Sequence, residues 1–408
     1  MILRDVIVVG AGPAGLATAI AAAKNKLSCQ IIEKGALVNS LLHYPTEMVF
    51  FTTPELMEIG GMPFVSPYDK PTRLEALRYY RRVSDAFKLD VVFDEAVVAV
   101  TRDSAADAAG TFVVDTHSAR GVRRSVHGRT VVIATGAYDF PNRMGIPGED
   151  LPHVSHYYSQ PHPFFRKNVV IVGGKNSAAE AALDLFRAGA RVTIVHRGAA
   201  MGDSIKYWVK PDIDNRIKEG TIAARFNTHV AEIRPTSVVV NTQDGVAESI
   251  DADAVFLLTG YGADTTLLRN AGIKIDAETC GPVYDAQTFE TNVPGIYTVG
   301  AMVAGVQSGR IFIENGRFHG EKDEMRLARR RLESLLVPPP HGRGGEPKVP
   351  PSMADEDLVN ALAQYLELEP VEKQALLERD TLLGRCRSLI ELLEMKVMVA
   401  QHKWGGEH

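Results

Sequence analysis

The clearest pattern in the chain is an apolar run followed by glycines. Val6-Ile7-Val8-Val9 has no polar interruption and ends at Gly10, which predicts a strand buried on both faces of a parallel sheet. Small apolar residues from Leu16 to Ala23 then predict a helix. Ser28-Cys29-Gln30-Ile31-Ile32 predicts a second strand that ends at Glu33. The same order recurs at Asn168-Val169-Val170-Ile171-Val172, with Gly173-Gly174, a helix through Glu180–Phe186 stopped near Gly189, and the strand Arg191–Val195. Between the two copies, Thr72 and Glu75 stand at capping-box spacing and open a helix whose buried stripe is expected to be Leu74, Leu77, Tyr80 and Phe87. Strands are expected near Val91–Phe93 and Val97–Val100. A hairpin layer is expected from Thr111–Val114 and Ser125–His127, and a further buried strand from Thr130 to Ala134 leads into Thr135-Gly136. Two more apolar runs lie at Ala254–Leu258, before Thr259-Gly260, and at Ile296–Val299, before Gly300. A helix is expected from about Ser308 to Arg331.

These elements predict an α/β protein with two Rossmann-like dinucleotide-binding domains, the second inserted into the first, and a small C-terminal helical extension. The expected boundaries are 1–145 with 270–335 for the first domain, 146–269 for the second, 337–352 for a Pro/Gly-rich linker and 353–408 for the extension. In the extension, Leu358, Leu362, Tyr365 and Leu366 form one apolar face, and the leucine clusters from Ala375 to Leu393 predict two more helices. About 50 residues make a marginal independent core, so docking on the enzyme, on a second copy or on a partner is expected.

Composition narrows the function. At 45% hydrophobic and 23% charged residues the chain is ordinary for a globular enzyme, and a net charge of -5 gives no electrostatic pull toward nucleic acid or an anionic membrane. No apolar run approaches the length of a membrane span. Cys29, Cys280 and Cys386 are the three cysteines, far apart and without a C-x-x-C, so the expectations are a cytoplasmic protein, no metal site and no dithiol relay.

Gly10, Gly12 and Gly15 follow the G-x-G-x-x-G spacing. The first allows the tight turn, the second leaves room for a pyrophosphate, and the third lets the helix pack closely. Glu33 stands where a carboxylate accepts hydrogen bonds from ribose hydroxyls. The second copy departs at two points: Lys175 occupies the middle glycine position, and its second strand ends in His196-Arg197, a pair that suits a 2′-phosphate and hence NADPH.

The two units and their Thr-Gly strand ends resemble the thioredoxin reductase-like flavoproteins. Several runs are similar to the bacillithiol disulfide reductase (YpdA-type) family: Gln30–Gly35, Leu37–Ser40, Tyr44–Thr46, Glu58–Pro67, Lys70–Leu77, Gly173–Ala178 and Phe312–Gly320. That resemblance covers about residues 1–330. It implies FAD on the first unit, held by Gly10, Gly12, Pro13, Ala14, Gly15, Glu33, Lys34, Asn39, Ser40, Tyr44, Thr46, Val97, Thr135, Gly136 and Gly300. It implies NADPH on the second, held by Gly173, Gly174, Lys175, Asn176, Ser177, His196, Arg197, Thr259 and Gly260. Many members of that family carry a cysteine at the position of Ala14, so a thiol relay through that residue is closed to this chain. The tail resembles the helical end of the Lon-type substrate-binding domain.

Three readings follow. The first is an NADPH-dependent flavoprotein that reduces bacillithiol disulfide or a related small disulfide directly from flavin, with His43 and His319 as candidate acids. The others are a reductase of ferredoxin or flavodoxin and a nucleotide-sensing flavoprotein. A homo-oligomer is expected, with the tail available for self-association or a protein partner.

Overall fold

The computed structural model describes residues 2–103, 110–307, 310–317, 319, 328–329, 331–332, 335, 355–366, 368–377, 379 and 382–404. The strands in chain order are β1 (Leu3–Val9), β2 (Cys29–Ile32), β3 (Val91–Val92), β4 (Glu95–Arg102), β5 (Phe112–Ser118), β6 (Arg123–Ile133), β7 (Val154–Ser155), β8 (Asn168–Val172), β9 (Arg191–Val195), β10 (Ala223–Arg225), β11 (Thr228–Arg234), β12 (Ser237–Thr242), β13 (Ala247–Asp251), β14 (Ala254–Leu257) and β15 (Ile296–Thr298).

The first sheet has the order β3-β2-β1-β6-β5-β4, with β15 also on β6. Its β1 pairs in parallel with β2 and β6, as the unbroken apolar run requires. The sequence suggested separate strands at Ser125–His127 and Thr130–Ile133. They are one strand of 11 residues. The N-terminal half of β6 pairs antiparallel with β5, and its C-terminal half pairs in parallel with β1 and β15. One element thus serves both the hairpin layer and the nucleotide-binding sheet.

The second sheet is wholly parallel, in the order β10-β9-β8-β14-β7, and β11-β12-β13 form a separate antiparallel layer. Because β15 returns to the first sheet after all of these strands, the second unit is inserted into the first. The chain crosses between them twice, and the crossings are bound together: Asn142 N–H donates to Gly260 O at 2.9 Å and Gly262 N–H to Phe140 O at 2.8 Å.

Each sheet has apolar clusters on both faces. Helix α1 (Pro13–Lys24) is buried continuously from Gly15 to Ala22. The capping box at Thr72–Glu75 forms, but the helix it opens, Arg73–Ala86, buries Ala76, Tyr79, Tyr80 and Val83. Of the expected stripe, Tyr80 is buried and Leu77 and Phe87 pack partly against the same core, but Leu74 is 49% exposed. The wider, tyrosine-centred face wins because both rings find hydrogen bonds: Tyr79 hydroxyl donates to Met62 O at 2.8 Å and Tyr80 hydroxyl to Met57 O at 3.0 Å.

Helices at Asp355–Tyr365, Pro370–Leu377 and Leu382–Trp404 build the extension. Their shared core contains Val359, Leu376, Cys386, Leu389 and Leu393, together with Ala328 and Leu332. Glu394 ties the extension to the body, pairing with Lys26 just beyond α1 and with Arg331 at 2.9 Å. The expected linker at 337–352, and much of the helix expected over 308–331, lie outside the described residues.

Candidate functional site

The first glycine turn separates its three glycines by role. Gly10 has φ +106°, and a Cβ there would meet Ala134 O at 2.6 Å. A Cβ on Gly15 would stand 2.1 Å from Gly10 O, so the helix can lie on the turn only with glycine at that point. At Gly12 a Cβ would meet nothing within 4 Å and would project into open space. Gly12 caps α1, Pro13 follows it, and no acidic side chain occupies the first turn, which leaves the positive end of the helix for an anion.

Glu33 is buried beside this turn. Its Oε2 accepts from Ala11 N–H at 2.7 Å and its Oε1 from Gly35 N–H at 2.9 Å. Burial raises its pKa, and those two N–H groups oppose the rise. Each carboxylate oxygen retains acceptor capacity, and the residue faces the cavity described below. Lys34 pairs with Asp139 at 2.9 Å on the same wall.

The second turn is built differently. A Cβ on Gly173 would stand 2.7 Å from Leu258 O, which repeats the close approach of strand and turn. A Cβ on Gly174, the position of Ala11 in the first turn, would fall 2.4 Å from His196, so the imidazole packs directly on this turn. Lys175 caps helix α2 (Asn176–Arg187), again without an acidic residue in the first turn. Asn176 is already engaged: its Nδ2 donates to Ser204 O at 3.1 Å and its Oδ1 accepts from Lys206 N–H at 2.9 Å. Burial, and then the charge of Arg197, lower the His196 pKa below its ordinary 6.5. His196 is therefore neutral at physiological pH, and the exposed Arg197 carries the positive charge.

Both turns open onto one cavity of about 1890 Å³. A site for one small ligand occupies roughly 300–1,000 Å³, so this volume suits two dinucleotides better than one. Of the cofactor-binding residues expected from the sequence, all line it except Gly15, which packs beneath the turn, and Thr46, whose N–H donates to Ser159 O at 2.8 Å. Thr135, Gly136 and Gly300 from the first unit, and Thr259 and Gly260 from the second, meet on its wall. Ala14 lies there too, and a Cβ on Gly300 would come within 2.9 Å of the Ala14 methyl.

The two candidate histidines are placed elsewhere. His43 is exposed, its Nδ1 is 2.8 Å from Asn39 O, and it does not line the cavity. His319 is buried on the Phe289 ring at 4.3 Å, and its Nδ1 accepts from Gly300 N–H at 3.1 Å. It holds the Gly300 turn from behind.

Cys29 is held protonated, with burial pushing its thiol up to about 12. Cys386 lies in the core of the extension and Cys280 on an exposed turn. None of the three lines the cavity.

Sequence reasoning missed the aromatic wall where the units meet. Tyr138 packs on Tyr44 at 4.8 Å, on Tyr157 at 5.2 Å and on Tyr261 at 4.6 Å. Burial pushes Tyr44 and Tyr261 up to about 12 and Tyr138 higher, so the wall is neutral. The only sequence signal was the closeness of Tyr138 and Tyr261 to the Thr-Gly strand ends.

A family model described as pyridine nucleotide-disulphide oxidoreductase matches residues 7–300. The chain belongs to this family. It is 41% identical over 330 residues to bacilliredoxin reductase Bdr of Bacillus subtilis, covering 81% of this chain and 99% of the relative. The structure of bacillithiol disulfide reductase Bdr (YpdA) from Bacillus cereus superposes with a TM-score of 0.77 at 41% identity, over 81% of this chain and 100% of that one. A ferredoxin–NADP reductase of Ignicoccus hospitalis is 26% identical over 304 residues, covering 73% of this chain and 90% of the relative. Among the described residues, no helix is long and apolar enough to cross a membrane.

Proposed function

We propose that this protein is an NADPH-dependent FAD enzyme that reduces bacillithiol disulfide, or a closely related small disulfide, without a protein dithiol. The observation that carries the reading is the single cavity with two unlike dinucleotide turns on its wall and no cysteine among its lining residues. The reading assigns FAD to the domain of residues 1–145 and 270–335, and NADPH to residues 146–269. Gly12 and the α1 N-terminus would hold the FAD pyrophosphate, and Glu33 would accept from its ribose hydroxyls. Lys175 and Arg197 supply the charges for NADPH, with the neutral His196 ring as a hydrogen-bonding partner.

Bound at this turn, flavin would supply two-electron chemistry between NADPH and the disulfide. Overall, NADPH, the disulfide and one proton from solvent would give NADP⁺ and two thiols, the second proton coming with the hydride. The neutral tyrosine wall excludes water and offers no competing base. Neither His43 nor His319 is assigned the acid, because neither reaches the cavity. The unpaired cysteines suit a reducing, cytoplasmic compartment. The helical extension is assigned to self-association in a homo-oligomer, with a protein partner as the alternative.

The direct test is a cysteine-free variant, Cys29→Ala/Cys280→Ser/Cys386→Ala, assayed for NADPH oxidation with bacillithiol disulfide. Turnover within about twofold of the parent at equal flavin content is expected from the inert placement of all three thiols. A loss of a hundredfold or more in a folded, yellow variant would show that a thiol carries the electrons.

A further inference from the structure

At the mouth of the cavity the two units bring together a group of cations and aromatic rings that neither glycine turn uses. Lys70, Phe51 and Phe312 come from the first unit; Lys206 and Trp208 come from the second. Lys70 Nζ lies 3.7 Å from the centre of the Trp208 ring. Lys206 Nζ lies 5.4 Å from the Phe51 ring and 5.8 Å from Phe312. Phe51 and Trp208 meet edge to face at 5.8 Å.

Neither ammonium has a carboxylate partner among the described residues, and Arg310 on the same wall has none either. The rings are kept open to solvent: Phe312 is 51% exposed and Trp208 39%. A half-buried ammonium held over an aromatic ring, with no carboxylate beside it, keeps its charge available to an anionic ligand. The backbone of Lys206 is tied to the second turn through Asn176, yet its ammonium reaches across to Phe51 and Phe312. Its aromatic contacts are thus both with the first unit. Glu314 lines the same wall, where its charge acts on Tyr44.

We propose that Lys70, Lys206, Trp208, Phe51 and Phe312 form the acceptor-recognition site, selecting a disulfide whose two halves carry sugar rings and carboxylates. Bacillithiol disulfide has that chemistry, since each half is a glucosamine glycoside of malate. The sugar rings pack on the solvent-exposed parts of Trp208 and Phe312 that Lys70 and Lys206 leave uncovered, and the malyl carboxylates meet Lys70, Lys206 and Arg310. The proposal rests on the disulfide reading of the cavity and names the residues that give it specificity.

Two measurements separate the failure of this site from failure of that reading. In the first, the double variant Lys70→Ala/Lys206→Ala is assayed with the holoenzyme. The expected result is a KM for bacillithiol disulfide raised about tenfold or more, a KM for NADPH within twofold, and recovery in Lys70→Arg/Lys206→Arg. An unchanged disulfide KM, or a rise in the NADPH KM instead, overturns the proposal. The second needs no turnover. Trp208 and Trp404 are the two tryptophans, so in a Trp404→Phe background the fluorescence of oxidised holoenzyme reports Trp208 alone. Titration with malate is expected to give a saturable change that is absent in the double lysine variant and weakened by salt. No saturable change, or one that survives the double variant, overturns the site even if bacillithiol disulfide is turned over.

Discussion

The two glycine turns follow one plan and end in opposite chemistry. At the first, the space beyond Gly12 is open and the neighbouring strand ends in a buried carboxylate, Glu33. At the second, Lys175 stands at the position of Gly12, and His196 packs beside the preceding Gly174. The helices differ as well. Helix α1 is buried from Gly15 to Ala22, whereas α2 turns Glu180 and Asp184 toward the cavity. The first turn presents open backbone. The second presents the Lys175 side chain and is covered by the segment from Gly202 to Lys206, where Gly202 N–H donates to Gly174 O at 2.8 Å.

The comparison breaks most severely at Gly15. Alanine there would place a methyl 2.1 Å from Gly10 O, backbone against backbone. A loss of about 3 kcal/mol or more is expected in urea unfolding, together with loss of bound flavin. Gly12→Ala separates ligand from scaffold. Its methyl meets no protein atom within 4 Å, so the apoprotein should keep its stability to within about 1 kcal/mol. Flavin content should nevertheless fall at least about tenfold, because the methyl enters the space of the pyrophosphate. A yellow Gly12→Ala protein would remove FAD from this turn.

Glu180 sharpens the contrast through pH. Burial, with Asp184 adding to it, pushes its carboxyl from 4.5 up to about 7. The native state therefore binds this proton more tightly than the unfolded chain does. The resulting stability is fully present below pH 4.5 and is lost as pH rises through about 7. Glu180→Gln should flatten that decline, which is expected to amount to about 2 kcal/mol, in unfolding curves recorded from pH 5 to 8. A decline unchanged in the variant would assign it to another group. The smallest effect is expected at Arg197. Replacing it by alanine should raise the KM for NADPH about tenfold and leave that for NADH nearly unchanged, and equal changes for both would relieve Arg197 of the 2′-phosphate.

Much of this was legible in the chain because local rules and tertiary packing agree at the two turns. Strand, glycines, helix and terminal residue are set by the same few positions, and Gly10, Gly12 and Gly15 each do what their spacing predicts. The edge of the buried face at Arg73–Ala86 was less legible than Tyr80 at its centre, since Leu74 looks like a core residue until Tyr79 finds its carbonyl partner. His319 could not be told from a cavity histidine, because nothing local shows that its ring turns onto Phe289. The mouth brings Lys70 to Lys206 and Trp208, more than a hundred positions further along the chain, and no periodicity links them.

The central claim, electrons passing from NADPH through flavin to a small disulfide without a thiol, is tested most directly by anaerobic reoxidation. The holoenzyme is bleached with one equivalent of NADPH and then mixed with bacillithiol disulfide or with ferredoxin. Rapid return of the yellow colour with the disulfide, releasing two thiols per flavin, is the predicted result. Return with ferredoxin and none with the disulfide would contradict it.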